Sequence, residues 1–122
     1  DPIDEALVRV ASSYRRHLLI DRSLAIYRLA VRDIGAFPEI GERLFVLTIG
    51  VLRSLVGYLE GEMRAGRIVP IDAEATAEGF LSAALGFART RAVIGLPLAP
   101  DEDEQRHLRQ MVVLFSKALR PD

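Results

Sequence analysis

Residues 72–94 read DAEATAEGFLSAALGFARTRAVI, and within them the stretch Gly79–Ala88 (GFLSAALGFA) carries no charged side chain. Asp72 is a good helix cap, and the apolar spacing predicts a fourth helix running from there to about Ile94. A helix at a protein surface shows one apolar stripe; one that is apolar around its circumference must be covered on more than one side. In a bundle of about five helices this one is not easily central, so a second copy of the chain is a natural source of the extra cover. Tight packing inside one chain is the alternative. Gly79, Ala83 and Gly86, spaced four and three apart, allow a close helix approach under either reading.

Outward from this stretch, apolar residues recur three and four apart almost everywhere, and nothing alternates as a half-buried strand does. An all-α antiparallel bundle of about five helices is expected. The first has Asp1 as its cap, Pro2 at its first position and Asp4 and Glu5 in the first turn, and runs to about Ile20 with Leu7, Ala11, Tyr14 and Leu18 on one line. A second starts near Ser23 and aligns Leu24, Tyr27, Val31 and Ile34, ending at Gly35–Phe37 because Pro38 disfavours helix in the residue before it. The third, Pro38 to Ala65, is the longest, carries Leu44, Phe45, Thr48, Val51, Leu52, Val56 and Leu59, and stops at Gly66. After the loop Gly95–Pro100 the last helix begins with Asp101 and Glu104 at capping-box-like spacing and presents Leu108, Met111, Val112, Phe115 and Leu119.

The chain's 122 residues suit one domain, and a half-hydrophobic composition with 27% charged residues is that of a chain that folds. Sixteen basic against seventeen acidic residues give a formal net charge of -1, without the cationic excess that phosphate binding needs, so no affinity of this domain for nucleic acid is expected. The absence of cysteine excludes a disulfide framework and suits a reducing cytoplasm. The longest charge-free apolar stretches, Leu44–Leu52 and Gly79–Ala88, fall short of the roughly 20 residues of a membrane span.

No phosphate loop, dinucleotide fingerprint or hydrolase elbow occurs, so neither an enzyme nor a cofactor is expected. His17 and His107 have no partner at metal-ligand spacing; His107 reads as a solvated surface residue, and His17, one turn beyond Tyr14, as a possible cavity residue. Tyr14, Tyr27 and Thr48 are more informative. Each falls on the apolar line of its helix, where a hydroxyl needs a buried partner or faces a cavity. Convergence of the three predicts a mainly apolar small-molecule cavity between helices one to four, lined by Tyr14, His17, Tyr27, Phe45, Thr48, Leu52, Phe80 and Ala84. Hydroxyls bonded to backbone carbonyls in a packed core are the alternative, and the domain would then be a constitutive dimerisation module without a ligand.

The stretch Leu24–Ile40 (LAIYRLAVRDIGAFPEI), followed by Tyr58, Leu59, Gly66 and Arg67 and by AEGFLSAALG in the fourth helix, resembles the C-terminal domain of AefR-like TetR regulators over about Leu24–Leu119. Tyr27, Arg28, Leu29, Phe37 and Pro38 carry it most specifically; Asp33 stands where that family more often has Glu, and Ile68 where it has Leu. The resemblance implies an effector-binding and dimerisation domain spanning residues 1–122. It implies a cytoplasmic, non-enzymatic repressor whose DNA contacts come only from an N-terminal helix-turn-helix outside this chain. The homodimer is expected through the last two helices, with Leu81, Leu85 and Ala88 of the fourth and Met111, Leu114, Phe115 and Ala118 of the last at the interface. The effector is expected to be small and hydrophobic or aromatic.

Overall fold

A computed structural model describes residues 2–122, the Leu47 side chain excepted. The described residues form helices α1 (Pro2–Leu19), α2 (Asp21–Asp33), α3 (Pro38–Arg64), α4 (Ala73–Leu85), α5 (Ala88–Val93) and α6 (Asp101–Leu119), with no strand among them. The all-α bundle is as the periodicity predicts. Asp1 as the cap of α1 lies outside the described residues.

The punctuation residues act as their chemistry dictates. Pro38 opens α3. Gly66 closes it at φ 75°, where the Gly66 N–H donates to the Met63 carbonyl at 3.1 Å and the Arg67 N–H to Glu62 at 3.0 Å, so two orphan carbonyls are satisfied together. The Arg67 side chain then turns back onto the Glu62 carboxylate at 2.7 Å. Asp72 caps α4 by accepting from the Ala75 N–H at 3.0 Å.

Two expectations are corrected here. The fourth helix does not run to Ile94: it ends at Leu85, because Gly86 takes φ 59° and ψ −143°, a conformation open only to glycine, and the chain restarts as the short α5. Among the described residues the bundle therefore has six helices. Asp101 and Glu104 form no capping box, since Pro100 is the N-cap of α6 and the Glu104 side chain is engaged by Arg15 of α1.

The helix that carries most of the charge-free stretch, α4, is also central after all. It packs against α1, α3 and α6 of its own chain, and Ala77, Phe80, Leu81, Ala84 and Leu85 are all buried. With them lie Leu7 and Ala11 of α1, Leu55 and Leu59 of α3, and Leu108, Val112 and Leu119 of α6, with Phe80 and Phe115 meeting edge to face at 5.1 Å. Three intrachain neighbours thus supply cover for which the sequence pattern invited a second copy, while Glu74, Ala75, Glu78, Gly79 and Ser82 stay exposed. By length and composition α3 could cross a membrane, with a mean hydropathy of 1.5 over its most apolar window. Its arginines and glutamates space out the apolar residues, which is why charge-free runs alone did not reveal this. Its C-terminal half supplies the core, whereas its N-terminal half extends beyond α4, and α2 lies across that extension.

Candidate functional site

Because α3 outreaches the core, a space opens between its N-terminal half, α2, the C-terminal end of α1, and α5. This cavity has a volume of about 620 Å³. Ligand pockets fall in the range of roughly 300–1,000 Å³. One wall is apolar, with Ile26, Val31 and Ile34 of α2 facing Leu44, Phe45 and Val51 of α3. The other is polar, with Ser13, Tyr14 and His17 of α1, Tyr27 of α2 and Arg89 of α5.

Of the residues expected to line an effector cavity, the structure brings together Tyr14, His17, Tyr27, Phe45 and Thr48. It does not bring Leu52, Phe80 or Ala84 to them. Phe80 and Ala84 are 1% and 0% exposed in the core beneath, and Leu52 packs against that core. The reason is the Gly86 break: α4 faces inward along its whole length, and the cavity's fourth side comes from α5.

The hydroxyls and rings differ in what they leave free. Thr48 Oγ1 donates to the Leu44 carbonyl one turn back at 2.8 Å, as the packed-core alternative supposed. His17 is exposed at the cavity edge, and its Nδ1–H donates to the Ser13 carbonyl at 2.8 Å, which in the neutral ring makes Nε2 an acceptor. The Arg89 guanidinium lies over the Tyr27 ring at 4.7 Å from its centroid. Burial pushes the Tyr14 phenol above its ordinary value of 10.0, and the Arg89 charge pulls it the other way.

An acid whose folded pKa exceeds its unfolded one gives stability that is complete below the unfolded value and lost as pH rises through the folded one. The chain should therefore lose stability above about pH 10. Tyr14→Phe should remove part of that loss; Tyr58, raised by burial and by the Glu62 charge, supplies another part. Urea midpoints from about pH 8 to 11 measure it; a variant with the parent's full decline contradicts the assignment.

Sequence reasoning missed Arg89 and Arg15. Arg89 sits where a continuous fourth helix would have given it another phase, so only the break at Gly86 reveals it. Arg15 is buried, although it lies beside the apolar line of α1, and it donates to the carbonyls of Ala84 at 2.7 Å and Leu85 at 3.0 Å while pairing with Glu104. His107, expected on the solvated surface, is half-buried and reaches the Ala83 carbonyl at 2.6 Å. The Arg15 cation of α1 and the His107 ring of α6 thus cap the C-terminal end of α4, where the helix dipole favours positive charge. Arg28 donates to the Ala92 carbonyl and so ties α2 to the end of α5.

For the expected interface residues the geometry separates two groups. Leu81, Leu85 and Ala88 are buried within the chain, and Met111 and Phe115 are partly so. Leu114, 57% exposed, and Ala118 face outward on α6, with Val113 beside them. On α4 the outward residues include Glu78, Gly79 and Ser82, and a Cβ at Gly79 would meet nothing within 4 Å, so this flank is shallow and open.

Among the described residues the fold is a bundle of six helices with one cavity wall apolar and the other polar. The family model described as "AefR-like transcriptional repressor, C-terminal domain" matches residues 5–120, and the chain belongs to that family of TetR-type regulators. A solved structure with a similar fold is the Flavonoid-responsive Regulator FrrA, at a TM-score of 0.55 and 20% identity over 97% of this chain and 73% of that one. No curated protein sequence matches.

Proposed function

We propose that this chain is the effector-sensing and homodimerisation domain of a TetR-type repressor that a small, mainly apolar effector releases from DNA. The observation that carries this reading is the cavity of about 620 Å³ between α1, α2, α3 and α5, with its apolar α2–α3 wall. A constitutive dimerisation module would have no use for such a space. The regulator acts in the cytoplasm without enzymatic activity, and an N-terminal helix-turn-helix in the intact protein contacts the operator.

Effector binding favours a conformation in which the two DNA-binding heads no longer match the operator spacing. The physical link runs through α5. A ligand touching α5 acts on the α4–α5 junction, which Arg15, Glu104 and His107 fasten to α1 and α6. A screen of aromatic and aliphatic compounds for thermal stabilisation tests the sensing role. Stabilisation in the parent that is lost on narrowing the cavity with Ile26→Trp, at an exposed wall position, is the expected result, and compounds that stabilise both equally would contradict it.

The dimer forms on the outward flank of α4 and α6, where Gly79 and Ser82 allow close approach and Val113, Leu114 and Ala118 are exposed. Leu85→Arg would break the chain's own core, so Leu114→Arg is the informative change. An unpaired charge buried there costs about 3–5 kcal/mol. Since about 1.4 kcal/mol is tenfold in affinity, monomers should appear at micromolar concentration. Sedimentation of Leu114→Arg indistinguishable from the parent dimer would exclude this flank.

A further inference from the structure

The cavity wall contains one guanidinium and no carboxylate. Arg89 is flanked by Tyr14 and Tyr27, and no Asp or Glu is among the residues lining the space. Among the described residues no carboxylate comes within ion-pair distance of Arg89, and its side chain donates no hydrogen bond. This contrasts with Arg15, Arg32, Arg67, Arg106 and Arg120, each of which has a carboxylate partner. Tyr27 holds the guanidinium through its ring face, an attraction that leaves the N–H edge unspent. A positive charge held at a half-apolar wall with unused donors is the arrangement that recognises an anion, and a planar guanidinium matches a carboxylate or sulfonate edge.

We infer that the effector is an amphiphilic monoanion whose acidic head pairs with Arg89 and whose apolar body lies on the α2–α3 wall. This deepens the sensing role proposed above and rests on it. The polarity of the two walls supports the orientation. Thr48 has spent its hydroxyl on Leu44, so the α3 side offers Leu44, Phe45 and Val51 to the body of the ligand. The opposite side gathers Arg89, the Tyr14 and Tyr27 hydroxyls and the His17 ring. The expectation of a mainly apolar cavity is thereby refined: its lining holds one guanidinium, on the element that joins the cavity to the α4–α5 junction. An anion that engages Arg89 acts directly on α5, whereas an uncharged body of the same shape touches chiefly α2 and α3.

Two fluorescent probes with nearly the same aromatic body test this. Anilinonaphthalenesulfonate carries an anionic head, and N-phenylnaphthylamine lacks it. Both are titrated at neutral pH into the parent chain, Arg89→Gln, Arg89→Lys and the cavity-narrowing variants Ile26→Trp and Thr48→Trp, each checked for helical content and melting. The sulfonate should bind Arg89→Gln at least about tenfold more weakly than the parent, a loss of about 1.4 kcal/mol. Arg89→Lys should recover part of this, and the uncharged dye should bind all three within about a factor of two. Sulfonate affinity unchanged in Arg89→Gln, or an equal loss for both dyes, overturns the anion proposal while leaving the cavity reading in place. If the parent takes up neither dye, or both tryptophan variants fold and retain both dyes, the cavity reading itself falls and the anion proposal with it.

Discussion

Arg15→Met is expected to destabilise the domain by about 3–5 kcal/mol, because it leaves a carboxylate unpartnered inside the bundle. Arg15 and Glu104 side chains are only 8% and 15% exposed, so solvent does little to screen the pair or to rescue the acid once the arginine is gone. The same substitution also removes the donors to the Ala84 and Leu85 carbonyls, which lie at the end of α4 and have turned away from any continuing helix. For a chain of this size the melting temperature should fall on the order of 10–20 °C. The double variant Arg15→Met, Glu104→Met should recover most of that loss, since a buried ion pair replaced by apolar side chains of similar volume is often neutral or better. Chemical denaturation of the parent, the two single variants and the double variant closes the cycle. A single variant within about 1 kcal/mol of the parent would mean that the pair and the carbonyl cap contribute little.

The elements were legible because their signals are local. Pro38, Gly66 and Asp72 each act through their own backbone geometry, and the periodicity of α1, α6 and the C-terminal half of α3 points to the faces that are in fact buried. The break at Gly86 was less legible. A glycine within a helical pattern is compatible with continuation, and what separates α4 from α5 is tertiary: the Arg15 and His107 side chains satisfy the Ala83, Ala84 and Leu85 carbonyls that a continuing helix would have used. Misplacing that break shifts the phase of everything up to Ile94. It leaves Arg89 out, whereas Phe80 and Ala84 were misplaced because the apolar line of α4 does not say which neighbours it meets. The cavity residues of α1, α2 and α3 were found because an aromatic or hydroxyl group on an apolar line is unusual wherever the helices end up. Whether α4 is covered by its own chain or by another depends on how helices are arranged around it, which a one-dimensional pattern does not contain. The structure puts α1, α3 and α6 there.

Phe80→Ala and Phe45→Ala should separate core from cavity, two roles that the sequence pattern merged. Phe80 is 1% exposed, meets Phe115 edge to face, and lies among α1, α3 and α6, so its truncation should cost about 3–5 kcal/mol. Phe45 is 64% exposed at the mouth of the cavity and has little packing to lose, so the same truncation should change stability by no more than about 0.5 kcal/mol. Dye uptake should rank them in the opposite order. At a temperature where both variants are fully folded, Phe80→Ala keeps the parent's affinity for N-phenylnaphthylamine, because α4 does not reach the space. Phe45→Ala loses affinity, because it removes an aromatic part of the wall that holds the ligand's body. For the same reason Ala84→Trp is no test of the cavity: Ala84 is 0% exposed and its carbonyl holds Arg15, so an indole there overpacks the core. A folded Phe80→Ala that no longer binds the dye would mean that α4 borders the cavity, and the assignment of Phe80 to the core alone would have to be given up.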